Sequence, residues 1–587
     1  MEERLKTFFH LVKILFGIIL LQCINLQILH FNYYRGLSEK NCIRTIDLGI
    51  PRGKIYDRNG RVLAEDKICF NLVYVPYDIK NPQEVASTLS DIFGFNKKDL
   101  LQQFNKSSSD PFERIVLKYN LTQSEIAAVS EYAFKLPGVF VQTGLNRQYT
   151  LKEGTCHVLG YVGEINQDEL DIMRDQGLKP GHCIGRYGIE KQYDEFLRGK
   201  SGGYQIEVDA HGHQRKILKE IAMIPGNNIV LTLDQSIQEA CRDALGDKQG
   251  SIIVMNPRNG EVLGLVNNPS FDPSNVAKYL KPPYSNKTPF LNRVIAGQYA
   301  PGSIFKIITE IAALETGEIG EHDRIECTGA MNVGDRIFHC WKEEGHGWVD
   351  INMALPFSCN IFFGTVGSKL GTEKILEYAG LFDFGKPTGI DIPGEKSGNL
   401  PSSYQSGGAI NLAIGQGALA VTPIQLCVMI SSIANGGNLW RPYLVKKIQS
   451  PDGKIIKEFQ PVVKKTIFIS DETLTILRRG LRNVVKFGTG AGANIPGIEI
   501  SGKTGTAQIA QRELGLPTRG AFACYAPSDS PNIAMVVFLD EGSSGQAARI
   551  AGSIIKKVFT SEETTSETTI SETEELQPLL SGSEGFE

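Results

Sequence analysis

Ser303-Ile304-Phe305-Lys306, Ser358-Cys359-Asn360 and Lys503-Thr504-Gly505-Thr506 follow one another along a chain of 587 residues. A serine and a lysine three positions apart offer a hydroxyl nucleophile and an amine that deprotonates it. The second serine with its asparagine offers a proton relay and an amide that holds a peptide, and the third motif offers a cation for a carboxylate. Together these groups suit acyl transfer through a serine ester.

Each motif alone is weak, because such short patterns recur by chance. Ser553-Ile554-Ile555-Lys556 repeats the first, Ser397-Gly398-Asn399 and Ser530-Pro531-Asn532 repeat the second, and Lys200-Ser201-Gly202 and Lys396-Ser397-Gly398 resemble the third. Read singly, Ser303 is a helix N-cap and Lys306 a solvated side chain. Context separates the set from its copies. Tyr299, Ala300, Pro301 and Gly302 close a loop, and Ile304, Ile307, Ile308, Ile311 and Leu314 then recur at helical spacing. Ser303 is therefore expected to open a helix with Lys306 one turn later on the same face, close enough to meet. The first-turn amides of that helix would point at an oxyanion beside Ser303. Residues 498–502 alternate like a strand leading into Lys503, and Gly505 is expected to leave room for a substrate backbone along the strand edge.

Around these motifs the elements suggest an α+β architecture. Residues 229–233 read as a strand, 236–245 as a helix and 251–266 as a hairpin about Pro257-Arg258-Asn259-Gly260. A second hairpin, 521–526 and 533–539, follows the Lys503 strand, so first and last strands are expected in one antiparallel sheet with helices packed on it. Thr422-Pro423 reads as the cap and first residue of a core helix ended by Gly436-Gly437. Residues 47–210 mix strand-like runs (70–75) with helix-like ones (123–134) and carry no catalytic signature, which suits a spacer and interaction module.

Four of the other chemistry-bearing residues are spaced like a metal site: Cys327, Cys340, His346 and Cys359. Three thiolates and an imidazole suit tetrahedral zinc. A Cys327 to Cys340 disulfide and unpaired core cysteines are the alternatives that spacing leaves open.

Charge excludes one class of partner. The net charge is −4, and the segment 561–587 holds eight Glu with no Lys, Arg or Asp, so removing it leaves the remainder at +4. No nucleic-acid signature follows from that balance. The Ser, Thr and Glu-rich tail, 560–587, reads as disordered. Near the start, residues 14–34 carry no formal charge and are long enough to span a bilayer; no cleavage signal follows, so they read as an uncleaved anchor after a short segment 1–13, which the family resemblance given below makes cytoplasmic. Basic residues flank the span equally, so charge does not orient it. Gln22, Asn25 and Asn32 share one side of a regular helical wheel and could face another membrane helix.

The stretches Tyr299 to Lys306, Ser358 to Phe363, Gly415-Gln416-Gly417 with Val421 to Leu426, and Lys503 to Gln508 resemble the transpeptidase domain of class B penicillin-binding proteins. Arg52 to Gly60 and Gly185 to Lys191 resemble that family's non-catalytic pedestal. The resemblance covers nearly the whole chain and implies a pedestal over 38–220, a transpeptidase domain over 225–559 and a catalytic part outside the bacterial cytoplasmic membrane. It implies a peptidoglycan D,D-transpeptidase, with stem peptides as substrates, β-lactams as inhibitors, and a polytopic membrane glycosyltransferase as partner, since no such domain is evident here. By the same resemblance Ser303 is the nucleophile, Lys306 its base, Ser358 the proton relay and Asn360 the amide clamp. Lys503, Thr504 and Thr506 receive the terminal carboxylate, and the amide of Thr506 joins that of Ser303 at the oxyanion. Phe338-His339-Cys340-Trp341 with Gly345-His346-Gly347 resembles the elongation-specific members, some of which carry a metal there, which favours structural zinc. A division-specific enzyme, a carboxypeptidase or β-lactamase, and a non-catalytic β-lactam sensor are the competing readings; no E-x-x-L-N deacylation motif is found.

Overall fold

A computed structural model describes residues 2–35, 43–105, 114–208, 214–334, 336–402, 408–507 and 518–574. Two sheets organise it. The hairpin Gly250–Met255 and Val262–Asn268 forms one side of a five-stranded antiparallel sheet. Ile533–Leu539, Arg519–Ala526 and Ser501–Ala507 complete it in that order, so strands from both ends of the catalytic region meet as expected. The three middle strands are buried along their length, which is why they read as continuous apolar runs rather than alternating ones. Ser501–Ala507 is an edge strand, and its outer side meets the turn that carries Ser303.

Helices cover both faces. Gln235–Leu245 and the terminal helix Ser544–Glu574 pack on one side, and Pro423–Ala434 on the other. Thr422 caps that last helix, with Gln425 returning the bond to the cap's own amide, and Gly436 and Gly437 end it at φ 86° and 113°. The helix Ser544–Glu574 runs into the segment read as disordered. Side chains from 561 on, and all of 575–587, lie outside the described residues.

A second sheet joins the two halves of the chain. The strand read at 229–233 is Asn228–Leu231, and it pairs parallel with Ile55–Tyr56 and antiparallel with Val445–Gln449. The long ribbon Val62–Tyr74 and Val139–Tyr149 extends from it, so one sheet holds strands of both the pedestal and the catalytic region. Buried charges tie the pedestal. Glu190, fully buried, accepts from Arg52 at 2.7 Å and from Arg147 at 2.7 Å, and Asp194 and Asp66 take the remaining arginine contacts.

One N-terminal helix, Arg4–Leu29, is long and apolar enough to cross a membrane. It departs from regularity in one place: Asn25–Leu29 is a π-helical turn. The wheel that grouped Gln22, Asn25 and Asn32 assumed a constant advance per residue, and a π turn breaks that phase between Asn25 and Asn32. Gln22 and Asn25 keep their relation; Asn32 does not follow from it.

Candidate active site

Ser303 lies in the short 3-10 turn Gly302–Phe305, and Lys306 begins the α-helix that runs to Glu315. The turn has a specific cause. Gly302 sits at φ 55°, and a Cβ there would stand 2.6 Å from the carbonyl oxygen of Thr506. The backbone of the nucleophile turn therefore lies directly on the edge strand. Gly505 is its counterpart: a Cβ on it would come within 2.9 Å of the Pro301 carbonyl oxygen and of Ile304. The space expected for substrate at Gly505 is filled by the nucleophile's own turn.

Lys306 is fully buried, and among the described residues its amine nitrogen bonds to the second motif rather than to Ser303. Lys306 Nζ donates to the Ser358 carbonyl at 2.8 Å and to Asn360 Oδ1 at 2.8 Å, and lies 3.2 Å from Ser358 Oγ. Lys503, also fully buried, reaches the same hydroxyl from the strand side, with Nζ 2.9 Å from Ser358 Oγ. One hydroxyl thus bridges two amines. Burial pushes the Lys306 amine down to about 7, with Cys359 and Cys340 opposing that shift. Lys503 is pushed well below the usual lysine range by burial first and by the Lys306 charge second, while Glu310 opposes both. Burial is the main cause at both amines, and the repulsion between them disfavours charging both at once.

The second motif is held under tension. Ser358 adopts φ 52°, a left-handed conformation that non-glycine residues rarely take and that costs on the order of 1–3 kcal/mol. Its neighbours fix it: Trp341 Nε1 donates to the Phe357 carbonyl at 2.8 Å, and the Cys359 amide to the Ala354 carbonyl at 3.0 Å. Cys359 caps the helix Asn360–Leu381, its sulfur accepting from the Phe362 amide at 3.5 Å. Asn360 Nδ2 donates to the His339 carbonyl at 3.3 Å.

Thr504 is buried, with its hydroxyl 2.7 Å from that of Thr489, whereas Thr506 is exposed and donates to Ser544. Gln416 Nε2 lies 3.5 Å from the Thr506 carbonyl, and the Gly302 amide donates to the Gly415 carbonyl at 3.1 Å. Thr489, Ser544 and Gln416 carried no site role in the sequence reading; only Gln416 had a signal, as part of the Gly415-Gln416-Gly417 resemblance. The copy at Ser553 is excluded on placement: it sits inside the terminal helix and donates to the Ile550 carbonyl.

Cys327, Cys340, His346 and Cys359 come together, their ligand atoms all within 4.8 Å of one another. All three cysteines are free, which removes the Cys327 to Cys340 disulfide from this structure. His346 Nδ1 lies 3.6 Å from Cys327 Sγ and 3.5 Å from Cys340 Sγ. Bonds of about 2.3 Å to sulfur and about 2.05 Å to nitrogen at a tetrahedral centre put S and N about 3.6 Å apart. The residues therefore fit zinc in type, and the two His346 to sulfur distances fit it in spacing. A hydrogen bond from Cys359 holds the Cys340 thiol below the usual thiol range, and the Cys359 thiol is correspondingly raised.

Residues 250–560 match the family model for the penicillin binding protein transpeptidase domain, and 48–231 that for the penicillin-binding protein dimerisation domain. The chain belongs to the penicillin-binding protein transpeptidase family. Its curated relatives include peptidoglycan D,D-transpeptidase MrdA of Acinetobacter baumannii, 33% identical with 90% of this chain and 83% of the relative covered. Stage V sporulation protein D of Bacillus subtilis is 31% identical, with 94% and 84% covered. Among solved structures, the penicillin-binding protein PBP2 of Helicobacter pylori in complex with MreC superposes with a TM-score of 0.75 at 25% identity, covering 88% of this chain and 99% of that one. A chain of a peptidoglycan synthase complex that coordinates polymerization and crosslinking superposes with a TM-score of 0.67 at 28% identity, covering 95% and 97%.

Proposed function

We infer that the protein is a peptidoglycan D,D-transpeptidase of the elongation type, which cross-links stem peptides through an acyl-enzyme on Ser303 and is acylated there by β-lactams. The observation that carries this reading is the meeting of Lys306 and Lys503 on one hydroxyl, Ser358 Oγ, at 3.2 and 2.9 Å beside the turn that presents Ser303. Relatives named MrdA and neighbours named PBP2 support the elongation assignment.

Neutral Lys306 takes the Ser303 proton, and Ser303 Oγ attacks the carbonyl carbon of the penultimate D-Ala. In this reading the oxyanion is held by the backbone amides of Ser303 and Thr506, and the close packing of Gly302 against the Thr506 backbone supports it. As the amide bond breaks, Ser358 Oγ passes its proton to the departing D-Ala amine and is resupplied from Lys306. Asn360 holds the peptide amide. Lys503 and Thr506 receive the terminal carboxylate, and Thr504, tied to Thr489, fixes the strand between them. An amine from a neighbouring stem then attacks the ester and frees Ser303.

In this reading zinc, held by Cys327, Cys340, His346 and Cys359, supplies a structural cross-link, because four protein ligands leave no position for water. No cofactor takes part in the chemistry. The apolar N-terminal helix anchors the chain in the bacterial cytoplasmic membrane with the catalytic region outside, and a polytopic glycosyltransferase supplies glycan strands. The synthase complex among the structural neighbours supports a partner of that kind, and the complex of PBP2 with MreC supports assembly with a further protein.

Fluorescent penicillin tests the nucleophile: wild type and Ser553→Ala should label and Ser303→Ala should not. Label retained on Ser303→Ala overturns the assignment. With lipid-linked glycan strands and an active polymerase, cross-linked stem dimers should outnumber trimmed tetrapeptides; predominant trimming would make the protein a carboxypeptidase.

A further inference from the structure

The peptide units on either side of Ser358 are each held by a side chain, and only one of those side chains belongs to the chemistry described above. The unit that follows carries the Ser358 carbonyl, which accepts from Lys306 Nζ at 2.8 Å, and the Cys359 amide, which donates to the Ala354 carbonyl at 3.0 Å. The unit that precedes carries the Ser358 amide, which donates to the Leu355 carbonyl at 3.1 Å, and the Phe357 carbonyl. A turn at 355–358 ends the short helix Ile351–Ala354, so that last carbonyl has no helical donor ahead of it, and among the described residues no backbone amide reaches it. Trp341 Nε1 takes the place, donating at 2.8 Å.

Peptide units are planar, so holding two of them fixes φ and ψ of the residue between. Lys306 holds the second plane, and Trp341 the first, the one that defines the left-handed φ of 52°. Only χ1 of Ser358 is then left, and its Oγ stays between the lysine nitrogens at 3.2 and 2.9 Å. Trp341 does not fill a core, since it is 52% exposed. Its ring meets His346 edge-on with centroids 5.2 Å apart, and His346 stacks on Phe357 at 5.6 Å. What this exposed indole supplies is its N–H, aimed at the peptide before the relay hydroxyl.

We propose that Trp341 is a positioning residue of the active site: through the Phe357 carbonyl it holds Ser358 in the strained conformation that lets one hydroxyl serve both lysines, and so it controls proton delivery to the leaving group. The inference rests on the reading of Ser358 as the proton relay. It carries a chemical signature. When a C–N bond breaks, the nitrogen keeps the electron pair and takes a proton from Ser358 Oγ. When a C–S bond breaks, the thiolate leaves with the pair and needs no proton, so the Ser303 proton stays on Lys306.

The test compares acylation of the full chain by a penicillin, which breaks a C–N bond, with acylation by a thioester in place of the terminal D-Ala-D-Ala peptide bond. Trp341→Phe keeps a ring and removes the donor. It should react with penicillin about fivefold more slowly or worse, the worth of one hydrogen bond, and keep its thioester rate. Trp341→His, which returns a ring N–H, should recover part of the penicillin rate. In a Ser358→Ala background, Trp341→Phe should add no further loss, because the group it positions is gone. Equal slowing of both reactions by Trp341→Phe, slowing of neither, or additive losses in the double variant would overturn the proposal. Ser358→Ala by itself keeps the two readings apart. If it slows both substrates alike, the relay assignment fails and this inference falls with it; if it separates them and Trp341→Phe does not, this inference alone fails. Should Trp341→Phe not fold, Trp341→Tyr, a ring with no donor at the position of the indole nitrogen, takes its place in the same comparison.

Discussion

At the scale of single residues, the chemistry turns on an amine that must be neutral and yet is built from lysine. Burial brings Lys306 to about 7, so below that pH it is an ammonium with no lone pair for the Ser303 proton, and above it the lone pair is free. The acylation rate by fluorescent penicillin should therefore rise through neutral pH and fall about tenfold for each pH unit below the Lys306 value. Lys306→Arg, which stays charged, should be inactive throughout. A rate independent of pH across that range would remove Lys306 as the base. The proposed catalytic residues stood out in the sequence because serine, lysine and asparagine cannot be exchanged for similar side chains without losing the proposed chemistry. The burial of Glu310 was not legible, since a lone glutamate in an apolar helical run looks like a solvated face until its neighbours are known. Nor was the target of Lys306: spacing placed it beside Ser303, and only the fold turns its nitrogen toward Ser358 and Asn360.

At the scale of elements, two contacts position these side chains: the nucleophile turn on the edge strand, and the cysteine cluster behind Ser358. The first relies on Gly302. Gly302→Ala adds a Cβ 2.6 Å from the Thr506 carbonyl oxygen, so the turn must lift from the strand and separate the two oxyanion amides. Acylation should drop at least tenfold, about 1.4 kcal/mol in barrier. Gly317→Ala is the control, with a similar φ of 69° and open space around it: it should lower the melting temperature through backbone strain and leave acylation intact. Equal effects on acylation would mean that backbone strain, not the contact, is responsible. The second, in the proposed reading, relies on zinc. Purified soluble protein should hold about one zinc per chain, and Cys340→Ser or His346→Ala should lose it, melt earlier and acylate more slowly as Ser358 and Asn360 drift. Metal-free protein with an undiminished rate would sink the idea. Strands, hairpins and the capped helix 423–434 were readable from apolar runs and turn residues. The role of Gly505 was not, because periodicity shows that a side chain is missing and not what fills its place.

At the scale of the whole molecule, the pedestal and the catalytic region share a sheet, and that predicts how the chain unfolds. Ile55–Tyr56 from the pedestal is hydrogen-bonded to Asn228–Leu231, which in turn pairs with Val445–Gln449 of the catalytic region. Side chains reinforce the seam: Tyr193 donates to Asp391 at 3.0 Å, and Arg58 pairs with Glu261 at 3.3 Å. Sequence indicated two modules but not this seam, since strand pairing between segments about 170 residues apart leaves no local pattern. Glu190 offers a way to test it. It is fully buried in the pedestal between Arg52 and Arg147, so Glu190→Ala leaves two buried arginines short of a partner, a loss of roughly 3–5 kcal/mol. All three tryptophans, Trp341, Trp348 and Trp440, lie in the catalytic region, so their fluorescence reports that region alone. If the shared sheet makes one cooperative unit, Glu190→Ala should lower the tryptophan-detected melting temperature as much as the one followed by far-ultraviolet circular dichroism. A tryptophan transition that stays at the wild-type temperature while the dichroism splits in two would show that the regions unfold independently, and that the seam aligns them without joining their stability.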